Sequence, residues 1–205
     1  RLIINNLLKA DESGKAILGI EFGSTRIKAV LINDAGEVLA VGGYDWENSL
    51  VNGIWTYAEE EFFAGLKGCY SSLKNDVKEK YGITLTSFKS IGISGMMHGY
   101  LPFTKEGELI CPFRTWRNTL AGEAASKLTE AFDFNIPDRW SIAHLYQAIL
   151  NGEDHVKDIA YFTTLAGYIH TLLTGEKVLG IGEASGMFPM EGNKKKKKML
   201  DKFDS

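Results

Sequence analysis

Between Ile17 and Asp34 the chain reads ILGIEFGSTRIKAVLIND. Two short apolar runs, Ile17–Ile20 and Ile27–Ile32, are parted by Glu21, Phe22, Gly23, Ser24, Thr25 and Arg26. That turn has the residue types for phosphate chemistry. Gly23 lets the backbone approach a ligand closely, and the turn's N–H groups, with the Ser24 and Thr25 hydroxyls, can cradle a phosphate. Glu21 puts a carboxylate beside the cradle, where a hydrated Mg²⁺ can sit. An ordinary hairpin with a polar turn fits the same residues. Further on, Ser94-Gly95-Met96-Met97-His98-Gly99 brackets an imidazole with glycines. It reads either as a ligand loop at a strand end or as a buried loop whose His98 satisfies a backbone carbonyl. The segment Pro112-Phe113-Arg114-Thr115-Trp116-Arg117-Asn118-Thr119 has two readings as well. Trp116 anchors a loop to the core, or it works with its polar neighbours on a ligand.

The elements that must position these segments follow from periodicity. Strands are predicted at 17–22 and 27–33, and a third at Val38–Tyr44 after the Asp34-Ala35-Gly36-Glu37 turn signal. Gly53–Tyr57 leads into a helix over 58–80, with Phe62, Leu66, Cys69, Tyr70, Leu73 and Val77 on one face and Gly82 as its stop. Ser87–Ile93 reads as a strand returning parallel to the first. Three strands, a helix and a strand do not make the alternating pattern of a dinucleotide-binding fold. Beyond them the chain reads as helical. One helix is capped by Asn118 or Thr119 and runs to Phe132. A break at Ile136–Arg139 precedes a second helix, capped by Ser141 and ending at Leu150, with Leu145 and Ile149 on one face. A third covers Tyr161–Leu173 and ends at Thr174-Gly175. Lys194–Lys198 reads as an exposed basic loop without a role, and residues 1–16 as a peripheral leader.

Strand, acidic residue, Gly-Ser-Thr turn and strand resemble the first phosphate motif of the actin-like ATPase fold, shared by sugar kinases, actin and Hsp70 chaperones. ISGMMHGYLPF is similar to a segment of FGGY-type carbohydrate kinases, most closely those that phosphorylate pentuloses such as xylulose. The resemblance runs from about Leu18 to Phe203. It implies an α/β, ribonuclease-H-like domain: a mixed sheet with an antiparallel three-stranded meander, flanked by helices. It also implies ATP and Mg²⁺ as cofactors and a small sugar as substrate. By the same resemblance Gly23, Ser24, Thr25 and Lys28 contact the ATP phosphates and Glu21 organises the metal. Met97, His98, Trp116 and Asn118 then shape the sugar pocket, and Gly182–Pro189, similar to the family's D-A-S-G/N stretch, packs against the sugar-side loops. Five positions depart from the family pattern, Arg117 among them. Glu21 and Asn118 stand where Asp is usual, and Ala166-Gly167 where many members carry Lys-Asp.

The same resemblance places the general-base Asp, the adenine pocket and a second phosphate loop downstream of this chain, so no catalytic residue is assigned here. The expected organisation is a leader over 1–16, the sugar-binding half of the kinase over 17–192, and a connection over 193–205 towards a missing C-terminal domain. Alone, the chain is expected to be inactive and to self-associate through the face that domain would cover. Two other readings remain at this point. One is a non-catalytic sugar-binding or regulatory module, and the other a different actin-like ATPase, which the SGMMHG and RTWRNT segments disfavour.

Composition bounds these readings. The 205 residues, 44% apolar and 24% charged, suit a soluble globular protein. A net charge of −3 offers no basic field, so nucleic acid is not an expected partner. Cys69 and Cys111 lack metal-ligand spacing and read as buried thiols in a reduced, cytoplasmic setting. No apolar run reaches the length of a membrane-spanning helix, and Arg1–Lys15 is too charged for a signal peptide. His144, His155 and His170 share no ligand spacing and read as surface or core histidines.

Overall fold

The computed structural model describes residues 15–205. In chain order the elements are β1 (Ile17–Phe22), β2 (Arg26–Ile32), β3 (Val38–Asp45), β4 (Ser49–Val51), β5 (Ile54–Thr56), α1 (Glu59–Tyr81), β6 (Ser90–Gly95) and β7 (Leu101–Phe103). There follow α2 (Gly122–Phe132), α3 (Ser141–Leu150), a 3-10 turn (Asp154–Asp158), β8 (Tyr161–Thr163), α4 (Leu165–Thr174), α5 (Ile181–Ser185), β9 (Met190–Glu191), β10 (Lys194–Lys195) and α6 (Lys197–Asp204). The chain divides into two compact units. One takes the residues up to Asn48 and Ala58–Gly95, the other Ser49–Tyr57 and Met96–Ser205.

The first unit is a four-stranded sheet in the order β3-β2-β1-β6. β1 pairs antiparallel with β2 and parallel with β6, so the meander and the returning strand are as expected. Leu18, Ile20 and Phe22 of β1 with Ile27, Ala29 and Leu31 of β2 bury one face of the sheet. α1 lays Phe62, Cys69, Leu73 and Val77 into this core, while Leu66 and Tyr70 are only half-buried. The helix comes so close to β3 that a Cβ at Gly42 would lie 2.5 Å from the Cys69 carbonyl oxygen, so only glycine fits there. Gly82 ends the helix in the left-handed region, as expected. β6 starts three residues later than expected because its pairing begins only at Ile17–Ser90. Of the leader, residues 1–14 lie outside the described chain, whereas Ala16 is buried and its carbonyl accepts the Lys89 N–H at 2.7 Å.

The second unit is mainly helical, and several expectations are corrected in it. Gly53–Tyr57 is not a simple lead-in. β4 and β5 form a hairpin whose turn residues, Asn52 and Gly53, both have positive φ. α2 starts at Gly122 with Ala121 in the cap position, so neither Asn118 nor Thr119 caps it. Ser141 is the first residue of α3 rather than its cap, and its buried hydroxyl donates to the Gly99 carbonyl at 2.6 Å. On that helix Ile142, Ala143, His144, Gln147 and Ala148 are buried while Ile149 is exposed, so the buried face is not the expected one. Tyr161–Thr163, expected to be helical, pairs with β7 as a strand, and Thr164 caps α4 by accepting the Gly167 N–H. The lysine run is not a loop: Lys194–Lys195 pair with β9, and Lys197 opens α6. Helices α2 and α3 meet over Leu128, Phe132, Ile142 and Phe188, with Leu200 and Phe203 of α6 packed on this cluster.

Candidate functional site

In the first unit the β1–β2 connection is a turn held from inside. The Gly23 N–H donates to the Arg26 carbonyl at 3.1 Å, and a Cβ at Gly23 would lie 2.8 Å from that oxygen. Trp46, buried between Phe22 and Phe62, donates its indole N–H to the Gly23 carbonyl at 2.7 Å and its backbone N–H to Thr25 at 3.2 Å. The turn's carbonyls are thereby drawn inward. Gly23's own N–H is spent within the turn and is not a free donor for a ligand. Ser24 is half-buried and Thr25 exposed. Glu21 and Lys28 are cross-strand partners on the open sheet face, with Nζ 3.5 Å from Oε2. Both side chains are about half exposed, so the pair contributes little stability and is readily re-partnered. Among the described residues no group of three or more His, Cys, Asp or Glu is placed to hold a metal ion. A single exposed carboxylate still suits Mg²⁺, which keeps most of its waters and takes its other ligands from phosphates.

In the second unit His98 sits on a turn with φ 68, where non-glycine residues are uncommon. Its ring stacks on Trp140 and its Nδ1 lies 3.2 Å from the Gly186 carbonyl. A carbonyl can only accept, so Nδ1 carries the proton and the neutral ring keeps a lone pair on Nε2. A Cβ at Gly186 would lie 2.7 Å from Nδ1. The stretch around Gly186 thus packs against the His98 loop as expected. Met97 beside it is 44% exposed, and Trp116 is 45% exposed, so both large apolar side chains are open to a ligand.

Asn118 is placed differently. It is 2% exposed, and its Oδ1 accepts the Trp55 N–H at 2.8 Å. Its Nδ2 donates to the Trp55 carbonyl at 2.8 Å and the Thr115 carbonyl at 3.0 Å. The amide acts as a short strand partner for β5, and both of its donors are used there. Arg117 lies over the Trp55 ring, 3.9 Å from the centroid. The two segments meet where Tyr100 and Arg114 exchange backbone hydrogen bonds of 2.9 and 3.2 Å, two residues after His98 and two before Trp116.

Sequence reasoning missed the groups behind these loops. Arg114, 5% exposed, is ion-paired to Glu153 and lies over the Tyr100 ring at 5.3 Å. The Tyr100 hydroxyl is 3.0 Å from His155 Nε2. Burial pushes the Glu153 carboxyl up, but the Arg114 hydrogen bond and charge outweigh it and leave its pKa low. His144, fully buried, stacks on Tyr100, and burial, helped by the Arg114 charge, pushes it down to about 4. Cys69 is buried and Cys111 only half-buried, and burial raises each thiol to about 11.

Comparison with known proteins bears on what these loops belong to. The N-terminal domain of the FGGY family of carbohydrate kinases matches residues 16–204. A xylulose kinase of Staphylococcus xylosus is 22% identical over 179 residues, covering 83% of this chain and 36% of that protein. The crystal structure of a xylulose kinase from Rhodospirillum rubrum superposes with a TM-score of 0.78 at 18% identity, covering 93% of this chain and 41% of that one. A Plasmodium falciparum glycerol kinase with ADP gives a TM-score of 0.73 at 16% identity, over 92% and 40% of the two chains. The chain therefore spans about two fifths of the length of these relatives, and its fold is that of the actin-like ATPases. With the family match running almost end to end over the described residues, the chain belongs to the FGGY family of carbohydrate kinases.

Proposed function

We propose that the chain is the sugar-binding, N-terminal part of a cytoplasmic, ATP-dependent kinase that phosphorylates a hydroxyl of a pentulose such as xylulose. The observation that carries this reading is His98. Its Nδ1–H is committed to the Gly186 carbonyl, so Nε2 is left as an oriented acceptor for a sugar hydroxyl. Met97 and Trp116 supply exposed apolar surface for the sugar's C–H face. Asn118 serves the pocket by fixing Trp55 and the backbone beside Trp116.

Ser24 and Thr25 would face the ATP phosphates with Gly23 keeping the turn tight, Lys28 would lie beside them, and Glu21 would hold Mg²⁺ through its waters. When bound, ATP supplies the phosphoryl group and Mg²⁺ screens its charge. For Glu21 to serve the metal, Lys28 must give up its 3.5 Å contact and turn to a phosphate. The base that takes the sugar proton belongs to the part of the kinase that follows this chain.

A second reading, a sugar-binding module without transfer activity, is favoured by one observation: the Glu21 carboxylate is already paired with Lys28. Calorimetric titration with D-xylulose and D-ribulose, on the natural chain and on His98→Ala, tests the sugar site common to both. Binding that disappears in the variant supports the proposal. Equal binding by both proteins rejects His98 as the sugar contact. Mg-ATP binding that weakens in Glu21→Ala separates the kinase from the module.

A further inference from the structure

We infer that Glu153 is a positioning residue for the sugar-facing loops: through Arg114 and His155 it closes a partly buried ring that fixes the His98 loop against the Trp116 loop. The inference rests on the proposed sugar site and adds residues outside it. Tyr100 and Arg114 are joined through their backbones, and each carries one loop. Their side chains close the same junction again. The Arg114 guanidinium lies over the Tyr100 ring and binds Glu153. Glu153 lies 3.5 Å from His155 Nδ1, and His155 Nε2 reaches the Tyr100 hydroxyl at 3.0 Å. Glu153 is itself tied to the end of α3, its N–H donating to the Ala148 carbonyl at 3.0 Å and one carboxylate oxygen accepting from Asn151 at 3.2 Å. That helix also holds the His98 loop directly, through Ser141 and the Gly99 carbonyl.

Such a ring does not need to stabilise the fold. A partly buried ion pair recovers little beyond its desolvation, and apolar residues of similar size often replace such a pair without loss. What an apolar pair cannot reproduce is the direction of the guanidinium, which sets how Tyr100 and Arg114 align and hence where His98 and Trp116 stand. The ring is therefore expected to govern geometry more than stability.

The test compares the 205-residue chain with Arg114→Met/Glu153→Leu, using amide hydrogen exchange, urea unfolding and D-xylulose titration. The double variant is expected to unfold at a similar urea concentration. Exchange over residues 96–100 and 114–118 is expected to rise at least about tenfold while that of α2 holds. The D-xylulose dissociation constant is expected to rise by about tenfold or more. Unchanged exchange in those two segments overturns the inference, and so does unchanged sugar affinity in a protein whose loops have loosened. If the natural chain binds no D-xylulose, the sugar reading fails by itself, and the exchange result still decides whether Glu153 holds the loops. If the double variant does not fold, Glu153→Gln, which keeps the shape and removes the charge, is read by the same exchange criterion.

Discussion

His144 gives the most quantitative prediction. It lies on α3 with no exposed surface, stacked on Tyr100 with ring centroids 6.4 Å apart. Neither ring nitrogen has a hydrogen-bond partner among the described residues. Burial, then the nearby Arg114 charge, moves its pKa down from 6.5 to about 4, while Glu153 opposes the change weakly. The sign follows from proton linkage. Between pH 6.5 and about 4 the unfolded chain takes up a proton that the native chain refuses, so stability falls as the pH falls. Above pH 6.5 both states are neutral here and nothing is lost. The slope approaches about 1.4 kcal/mol per pH unit, which amounts to roughly 2 kcal/mol by pH 5 and about 3 kcal/mol in full. Against a typical stability of roughly 5–15 kcal/mol that is a large share. His155 has a lowered pKa as well, chiefly through burial, and adds a slope of the same sign. The informative quantity is hence the difference between the natural chain and His144→Phe, which keeps an aromatic ring on Tyr100 and cannot titrate. Urea unfolding followed by circular dichroism at steps from neutral pH to pH 4.5 measures it. The difference between the two stability curves should change with pH by the amount above, the variant having the flatter curve. Parallel curves would show that His144 takes no part in the pH dependence, because a packing change alone gives a constant offset.

Three further substitutions test particular contacts. Asn118→Asp, which restores the residue usual in the family, should not improve the site. It sets a buried carboxylate against the Trp55 and Thr115 carbonyls, and urea unfolding at neutral pH should show a loss of about 3 kcal/mol or more. Gly186→Ala puts a Cβ 2.7 Å from His98 Nδ1 and should weaken D-xylulose binding by about tenfold or more, as read by calorimetry. Gly23→Ala meets the Arg26 carbonyl at 2.8 Å, so thermal unfolding should show a cost of about 1–3 kcal/mol, with weaker Mg-ATP binding.

Much of the fold was legible because local signals agreed with one another. The alternation of β1 and β2, the apolar stripe of α1 and the Gly82 stop all name their own element. The β4–β5 hairpin is legible too: Asn52-Gly53 between apolar neighbours is a strong two-residue turn signal. Tyr161–Thr163 was a different kind of miss. Tyr-Phe-Thr suits a strand, but next to the apolar run of α4 it extends a helical pattern, and only pairing with β7 decides the matter. The candidate site divides in the same way. Family resemblance singled out Met97, His98 and Trp116, and each has a side chain with something left to offer a ligand. The local pattern around Asn118 is that of a helix cap or ligand amide, yet its partner is Trp55, sixty-three residues away. Nothing near Glu153 announces Arg114, because the two lie thirty-nine residues apart in the chain. Long-range polar pairing is what a single sequence conceals best.

The His98 ring is the centre of the proposed sugar site, and with only four histidines in the chain it is directly observable. The measurement is a ¹⁵N spectrum of histidine-labelled protein at mildly alkaline pH, where imidazoles are neutral, titrated with D-xylulose. The expected result is His98 in the Nδ1–H form, with its Nε2 resonance moving upfield as sugar is added while those of His144, His155 and His170 stay in place. An Nε2–H form, or a His98 signal unmoved at saturating sugar, would contradict the assignment of this loop as the sugar site.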